Sequence, residues 1–445
     1  MSMIVSNLKL GLIANQTWHP LMMFVAAVKS DYFRNVINDH LAGYMGLAEY
    51  EERVNNYNFN DWLHYLANIY EEYRYADVFR PLYINCYNGL ALFKYKGYIE
   101  LADLGYDFTS FWELYNGLYK ECRSVVIDLV NNELVLAPQS KFDNIDGGMN
   151  GWDMSSIRNR ISNSKKVEIT NKLDGSNQNY RWYHGEVVGS GSQALDIKES
   201  WRLKRGYQLL NKNYIRLLQD NPDYTFMFEF ISPDNPIVVH YTKEQEGLYL
   251  FGARNVNTGK ELSYEKIIEL SNLYDVKCTD IYNDTLDDIL GKVDDYNSNE
   301  KEGWVINIID KDTDENFKAK LKVTDYLLMH KAITKMVSPN AIIEALRFNR
   351  YDDFFAKIPI AYREQVTKTA NNIIAYVKYL KNQSEGYFLA SPFSRDRKTF
   401  MIWVDQNVPK RFAGYVKNLY LNKPVDYFDK LKNSEVLNWV ELQTI

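Results

Sequence analysis

The sequence predicts an α+β chain: antiparallel sheets over residues 81–325, a helical N-terminal extension over 1–80, and an all-helical C-terminal domain over 326–445. Three observations predict it. Short β-type runs separated by Asn-Gly and Asn-Asn turns begin after Pro81, the strand pattern stops past Thr324, and helical spacing of apolar residues occupies both ends.

The N-terminal helices are read from Phe24, Val28, Phe33 and Ile37, and then from Trp62, Leu66, Ile69 and Tyr73, each set on one face. Leu82 to Cys86, Ala91 to Tyr95, Ser124 to Leu129 and Leu134 to Ala137 read as strands of one antiparallel sheet. The strand pattern continues through Lys166 to Thr170, Asn179 to Tyr183, Glu186 to Gly189, Phe226 to Ile231, Leu248 to Gly252, Trp304 to Ile309 and Phe317 to Lys322. A helix is expected over Trp201 to Gln219. Beyond Thr324, amphipathic stretches cover Ala341 to Phe355, Ala361 to Leu380 and Lys398 to Asp405, broken by Pro359, Pro392 and Pro409.

A chain of 445 residues, 46% hydrophobic, is long enough for two or three domains. Its longest apolar stretches, such as Leu21 to Val28, are too short to span a bilayer, and no cleavable signal pattern precedes them; a cytoplasmic location without membrane contact is expected. Three cysteines and six scattered histidines offer neither a disulfide framework nor a zinc spacing. The formal net charge of −6 is uneven: from Lys318 onward, 21 Lys and Arg face 12 Asp and Glu. That surplus suits phosphate, and a solvated basic face explains it equally well.

Chemistry concentrates in Ile169-Thr170-Asn171-Lys172-Leu173-Asp174-Gly175-Ser176, where a lysine ends a strand and an acidic residue and a turn-forming glycine follow. A deprotonated lysine there could attack a nucleotide α-phosphate, although an exposed β-turn of the same composition is the ordinary alternative. Four elements follow in order: Phe228-Glu229-Phe230, the strand ending at Arg254, Glu302-Gly303-Trp304, and Lys318-Ala319-Lys320-Leu321-Lys322. Glu229 and Glu302 are carboxylates among apolar neighbours, where a buried charge needs a lysine or a metal ion as partner. The alternation of Lys318, Lys320 and Lys322 puts three cations on one strand face, suited either to a polyphosphate or to guarding an edge strand.

In order and spacing these elements resemble motifs I, III, IIIa, IV and V of the covalent nucleotidyltransferases, the superfamily of ligases and capping enzymes. Within it the chain is similar to the phage RNA ligase 1 family, through Glu121-Cys122-Arg123, Lys141-Phe142-Asp143-Asn144, Phe228 to Tyr241, Asn257-Thr258-Gly259 and Arg395-Asp396-Arg397-Lys398-Thr399-Phe400. The likeness covers roughly residues 85 to 445 and extends into the helical third, where DNA ligases and capping enzymes would carry an OB-type barrel.

The resemblance implies a nucleotidyltransferase core of antiparallel sheets, ATP-grasp-like, with Lys172 as the nucleophile that carries AMP. It assigns phosphate or AMP contacts to Arg123 and Lys141, and the nucleotide turn to Asp174 and Gly175. Nucleotide and metal binding fall to Glu229 and Glu302, the ATP phosphates to Lys320 and Lys322, and the region just after motif V to Tyr326. Phe251 and Val305 are both candidates for the residue covering adenine. The implied cofactors are ATP and Mg²⁺, with Mn²⁺ as an alternative. The implied partner is RNA, specifically a broken tRNA anticodon loop, with an end-healing kinase-phosphatase working on the same ends in the host cytoplasm if the chain is phage-encoded. Trp403, Tyr415 and Tyr420 are candidate exposed rings for RNA. The rival readings are a DNA ligase, a capping guanylyltransferase, or a non-catalytic RNA-binding protein that keeps the fold.

One departure stands out: relatives tend to have basic residues in the strand after the nucleophile, whereas this chain has Gly189 and Gly191 there. Lys198, Arg202 or Lys204 from the following helix could compensate.

Overall fold

A computed structural model describes residues 16–443 apart from 236, 357, 359 and 393–395. The expectations at residues 1–15, Pro359, Arg395 and the last two positions lie outside the described residues. The chain forms two compact units, 1–327 and 328–445.

Among the described residues of the first unit, twelve strands build three four-stranded antiparallel sheets. The first sheet runs in order β1 (Leu82–Tyr87), β2 (Leu90–Tyr95), β3 (Arg123–Asp128), β4 (Glu133–Leu136). Asn88 and Gly89, both at positive φ, close its first hairpin with the twist that suits paired strands. The second and third sheets interleave in sequence. One holds β5 (Ser164–Lys172), β10 (Ile281–Tyr282), β11 (Gly303–Asp310) and β12 (Asn316–Lys322), in the order β10-β5-β11-β12. The other holds β6 (Ser176–Tyr183), β7 (Glu186–Ser190), β8 (Tyr224–Ile231) and β9 (Gly247–Asn255), in the order β7-β6-β8-β9.

The N-terminal helices belong to this unit. The helix Pro20–Leu41 buries Val28 and Phe33, and its Lys29 reaches into the β3–β4 turn, donating to the Leu129 carbonyl at 2.6 Å and to Asn132 Oδ1 at 3.1 Å. Phe59, at the start of the helix Phe59–Ile69, packs its ring against Phe93 of β2. That helix is shorter than expected: it ends at Ile69, which is exposed, and Tyr73 is buried from the turn beyond.

The helix expected over Trp201 to Gln219 is two helices, Trp201–Leu209 and Lys212–Asp220, because Asn211 turns its side chain back to accept from the Asn213 N–H and starts a new helix. These and the helix Tyr264–Tyr274 cover the outer face of the β7-β6-β8-β9 sheet, with Leu203, Leu217, Phe226, Phe228 and Ile267 in one apolar cluster.

The second unit is helical within its described residues. Its core gathers Val366, Ile373 and Leu380 of the helix Ile360–Leu389 with Phe400, Val404 and Val416. The stretch expected as one helix over 341–355 breaks into Pro339–Arg347 and Tyr351–Ala356, with Asn349 at positive φ between them. Trp403, Tyr415 and Tyr420 are half-buried against this core, and Tyr420 stacks on Phe400 with ring centroids 3.9 Å apart. They are core aromatics, not the exposed rings expected from the sequence. Among the described residues no helix is long and apolar enough to cross a membrane.

Candidate active site

Lys172 closes β5, and the antiparallel register sets it opposite Gly303, the first residue of β11. Glu302, just before that strand, therefore faces it. The Glu302 carboxylate is almost fully buried and accepts from Lys172 Nζ at 2.7 Å and from Lys322 Nζ at 2.8 Å. Burial pushes the Glu302 pKa up, but the two ammonium groups outweigh it and hold the carboxyl below its usual range. For Lys172 the balance is reversed in sign. Burial lowers its pKa, Glu302, Glu229 and Asp174 raise it further than burial lowers it, and the resting amine is a paired ammonium. Gly303 permits this closeness, since a Cβ there would lie 2.1 Å from the Leu321 carbonyl oxygen at a φ of +151°.

The turn after Lys172 is fixed from behind. Asp174 is buried; one carboxylate oxygen accepts from the Val238 and Val239 N–H groups, both at 2.8 Å, and the other from the Tyr326 hydroxyl at 2.7 Å. Gly175 N–H donates to Glu229 at 3.1 Å, and a Cβ on Gly175 would come within 2.4 Å of the Phe230 carbonyl oxygen. Burial, together with Glu302 and Asp174 and against the opposing effect of Lys172, raises the Glu229 carboxyl to about 8. A cation bound beside Glu229 would favour its ionised form.

A cleft of about 260 Å³ opens between the two interleaved sheets at Lys172. One end is polar. Lys320 projects from β12 into it, over the ring of Phe142 at 5.0 Å; Arg123 lies over the same ring at 5.5 Å, and Lys141 stands beside Arg123 over Trp112. Among the described residues, none of Arg123, Lys141 and Lys320 has a carboxylate within ion-pairing distance. Burial and the neighbouring charges of Lys141, Arg123, Lys172 and Lys322 drive the Lys320 pKa down to about 6. β12 is an edge strand, but its lysines do not guard the edge: segment 143–145 covers it, with the Lys320 N–H donating to the Asp143 carbonyl and the Ile145 N–H to the Lys320 carbonyl. Lys318 is neutralised by Glu261 and also donates to Gln139 at 2.8 Å.

The other end is apolar, lined by Phe251, Leu262, Tyr264, Ile267 and Val305, so both candidates for the adenine face border it. Asn307 also lines it. Its amide nitrogen donates to Glu168 at 2.9 Å and to Asn316 at 2.8 Å, which fixes the amide orientation and leaves a buried carbonyl oxygen without a partner among the described residues. A hydrogen-bond donor on a ligand would satisfy it.

Arg123, Lys172, Gly175, Glu229 and Lys320 thus border one cleft. Glu302 and Lys322 pair at its edge, and Asp174 and Tyr326 brace it from behind.

Residues 121–327 match the family model described as RNA ligase. The matched segment contains every residue of the cleft and its braces named above. No curated protein matches the chain. Among solved structures, the chain is similar to a Naegleria gruberi RNA ligase with PPi, at 19% identity and a TM-score of 0.33, over 44% of this chain and 58% of that one. A mutant of that ligase with ATP and Mn gives the same values. The chain therefore spans less than two thirds of the length of these structures.

Within the matched segment, the stretches that carry the resemblance serve as props. Glu121 pairs with the largely buried Arg254 at 2.6 Å, Arg254 also donates to the Gly259 carbonyl, and the stretch to Tyr241 supplies the N–H groups that hold Asp174. A sequence reading misses Asn307, whose orphaned oxygen depends on Glu168 a long way back in the chain, and Tyr241, whose hydroxyl accepts from the Asp174 N–H. At Gly189 a Cβ would meet the Tyr180 ring at 2.4 Å, so no basic side chain fits there. The compensation expected from the following helix is absent: Lys198 and Lys204 are exposed, Arg202 donates to Asn235, and none of the three borders the cleft.

The Lys320 shift gives a signed prediction. An amine near 6 is mostly neutral at pH 7.5, and a bound polyanion raises its pKa, so binding must draw in protons. Calorimetry with metal-free tripolyphosphate in buffers of different ionisation enthalpy should give an uptake of about one proton, falling toward zero in Lys320→Met, and affinity should weaken as pH rises above 6.

Proposed function

We propose that this protein is an ATP-dependent RNA ligase that carries AMP on Lys172 and joins a 5′-phosphate to a 3′-hydroxyl through an RNA-adenylate. The observation that carries the proposal is the set of basic side chains without an ion-pair partner among the described residues, Arg123 and Lys320 at the cleft and Lys141 beside Arg123, next to a half-buried lysine. Packing like charges together is unfavourable, and a triphosphate would offset it.

In the first step the Lys172 nitrogen attacks the α-phosphorus of ATP, a P–N bond forms and pyrophosphate leaves. Arg123, Lys141, Lys320 and Lys322 offset the charge that builds on the leaving phosphates. Lys172 must lose its proton first. Glu302 and Glu229 hold that proton in place; once both are engaged by a cation, burial, which lowers the amine pKa, is left as the dominant influence. The donor set fits Mg²⁺ in that role: two carboxylates and no third acidic, His or Cys ligand among the described residues, with phosphate and water oxygens completing the shell. Bound there, the metal ion would polarise the phosphate oxygens and neutralise the developing charge. AMP then passes to the RNA 5′-phosphate, and the 3′-hydroxyl of the second end attacks that activated phosphorus and expels AMP.

The Asn307 oxygen favours ATP over GTP. An acceptor at the apolar end suits the exocyclic amine of adenine, whereas the corresponding position of guanine is another acceptor, which weighs against a capping guanylyltransferase. The helical second unit, in place of an OB-type barrel, weighs against a DNA ligase. We assign RNA selection to that unit on its basic surplus, with a broken tRNA anticodon loop as substrate and a kinase-phosphatase preparing the same ends in the cytoplasm.

Intact-mass analysis after incubation with Mg²⁺ and ATP should show one added AMP, and with GTP none. Lys172→Ala should lose the adduct and ATP-driven sealing, by at least about 1,000-fold, yet still join RNA that is already 5′-adenylylated. An adduct that persists in the variant would place the nucleophile elsewhere.

A chain ended near Ser338 should still form the adduct. Its preference for a nicked tRNA stem-loop over a linear strand of equal length should fall by about tenfold or more in competition assays. An unchanged preference would move substrate choice into the first unit.

A further inference from the structure

The bulge between β2 and β3 creates a second basic corner that the nucleotide site does not use. Lys94 and Arg123 are cross-strand partners where the register shifts between Phe93 and Lys94, and Ser124, next in β3, is at a φ of +71°. A bulge re-aims side chains, and a serine in the left-handed region is strained. Here the result is two cations side by side, an arrangement that strand pairing alone disfavours. Among the described residues neither has a carboxylate at ion-pairing distance.

The corner is built. Ser124 Oγ donates to the Ser192 carbonyl at 2.6 Å, and Lys94 Nζ donates to the Ser192 hydroxyl. Together with Asn177 and Gln139 these residues border a cavity of about 170 Å³. Arg123, Gln139 and Asn177 border the nucleotide cleft as well, so the two spaces adjoin.

We propose that Lys94, Arg123 and Ser192 form a site for the 5′-phosphate of the RNA strand that receives AMP. The inference rests on the ligase reading above and goes beyond it to a specific site. A terminal phosphate carries up to about two negative charges, matched by the two cations. The corner lies beside the cleft, where the accepting phosphate must stand to reach the AMP phosphorus. It also bears on Gly189 after Lys172: that position has no room for a basic side chain, and Lys94 brings the charge in from a different sheet. In the step served, an oxygen of the RNA 5′-phosphate attacks the phosphorus of Lys172-AMP. A P–O bond forms, the P–N bond breaks, and the lysine nitrogen leaves with the bonding pair and takes up a proton from solvent.

The test uses the full chain. Enzyme loaded with AMP and freed of ATP is mixed with 5′-phosphorylated single-stranded RNA, and the adduct is followed by quenched-flow and intact mass. Lys94→Met should form Lys172-AMP from ATP within about threefold of the parent rate but pass AMP to RNA about 100-fold more slowly, while Lys94→Arg recovers most of the transfer. The parent should bind a 5′-phosphate RNA more tightly than its 5′-hydroxyl counterpart, and Lys94→Met should lose that difference. Unchanged transfer in Lys94→Met overturns the proposal. Loss of adduct formation in both Lys94 variants overturns it too, because Lys94 would then serve the triphosphate or the fold. If the parent protein forms no adduct, the ligase reading itself fails.

Discussion

Basic side chains brought together without ion-pair partners are the constraint around which the cleft is organised. Three of them, Arg123, Lys141 and Lys320, come from three separate segments: Arg123 and Lys320 lie over the Phe142 ring and Lys141 stands beside Arg123, and among the described residues none makes an ion pair of the kind that Lys172, Lys318 and Lys322 make. A protein tolerates this when rigid surroundings hold the charges in place and a ligand supplies the missing negative charge. The rigidity is visible in the backbone bonds between Asp143–Ile145 and Lys320, which join the loop bearing Lys141 and Phe142 to the edge of the lysine strand.

The same economy applies at Lys172. Asp174 carries a charge within the cleft's wall but spends its hydrogen-bonding capacity on two backbone N–H groups and the Tyr326 hydroxyl, so its effect on Lys172 is one of position and field rather than contact. Glu302 pairs with Lys172 and keeps it charged, and Glu229 adds to the negative field there while burial pushes its own pKa up. On the proposed reading, a polyphosphate and a divalent cation would each relieve a charge imbalance that the other does not.

What the sequence made legible followed from local periodicity. Lys318, Lys320 and Lys322 share a face because strands repeat every two residues, and Lys172 with its turn announced itself through the glycine that close strand approach demands. What stayed hidden depended on long-range placement. The unpaired oxygen of Asn307 is defined by Glu168, on another strand, and Lys94 reaches Ser192 only because a bulge re-aims it across sheets. Helix lengths were misjudged where a polar cap restarted the chain, as at Asn211, or where an asparagine took positive φ, as at Asn349. The aromatics Trp403, Tyr415 and Tyr420 misled for a simpler reason: a basic composition says nothing about which rings a helical core will claim.

The most direct measurement is a crystal structure of the protein with ATP and a divalent cation. The account predicts adenine at the apolar end with its exocyclic amine on the Asn307 oxygen, the α-phosphate in line with Lys172 Nζ, and the phosphates on Arg123, Lys141 and Lys320. A nucleotide bound outside this cleft, or one whose phosphates leave those three cations without a partner, would contradict it.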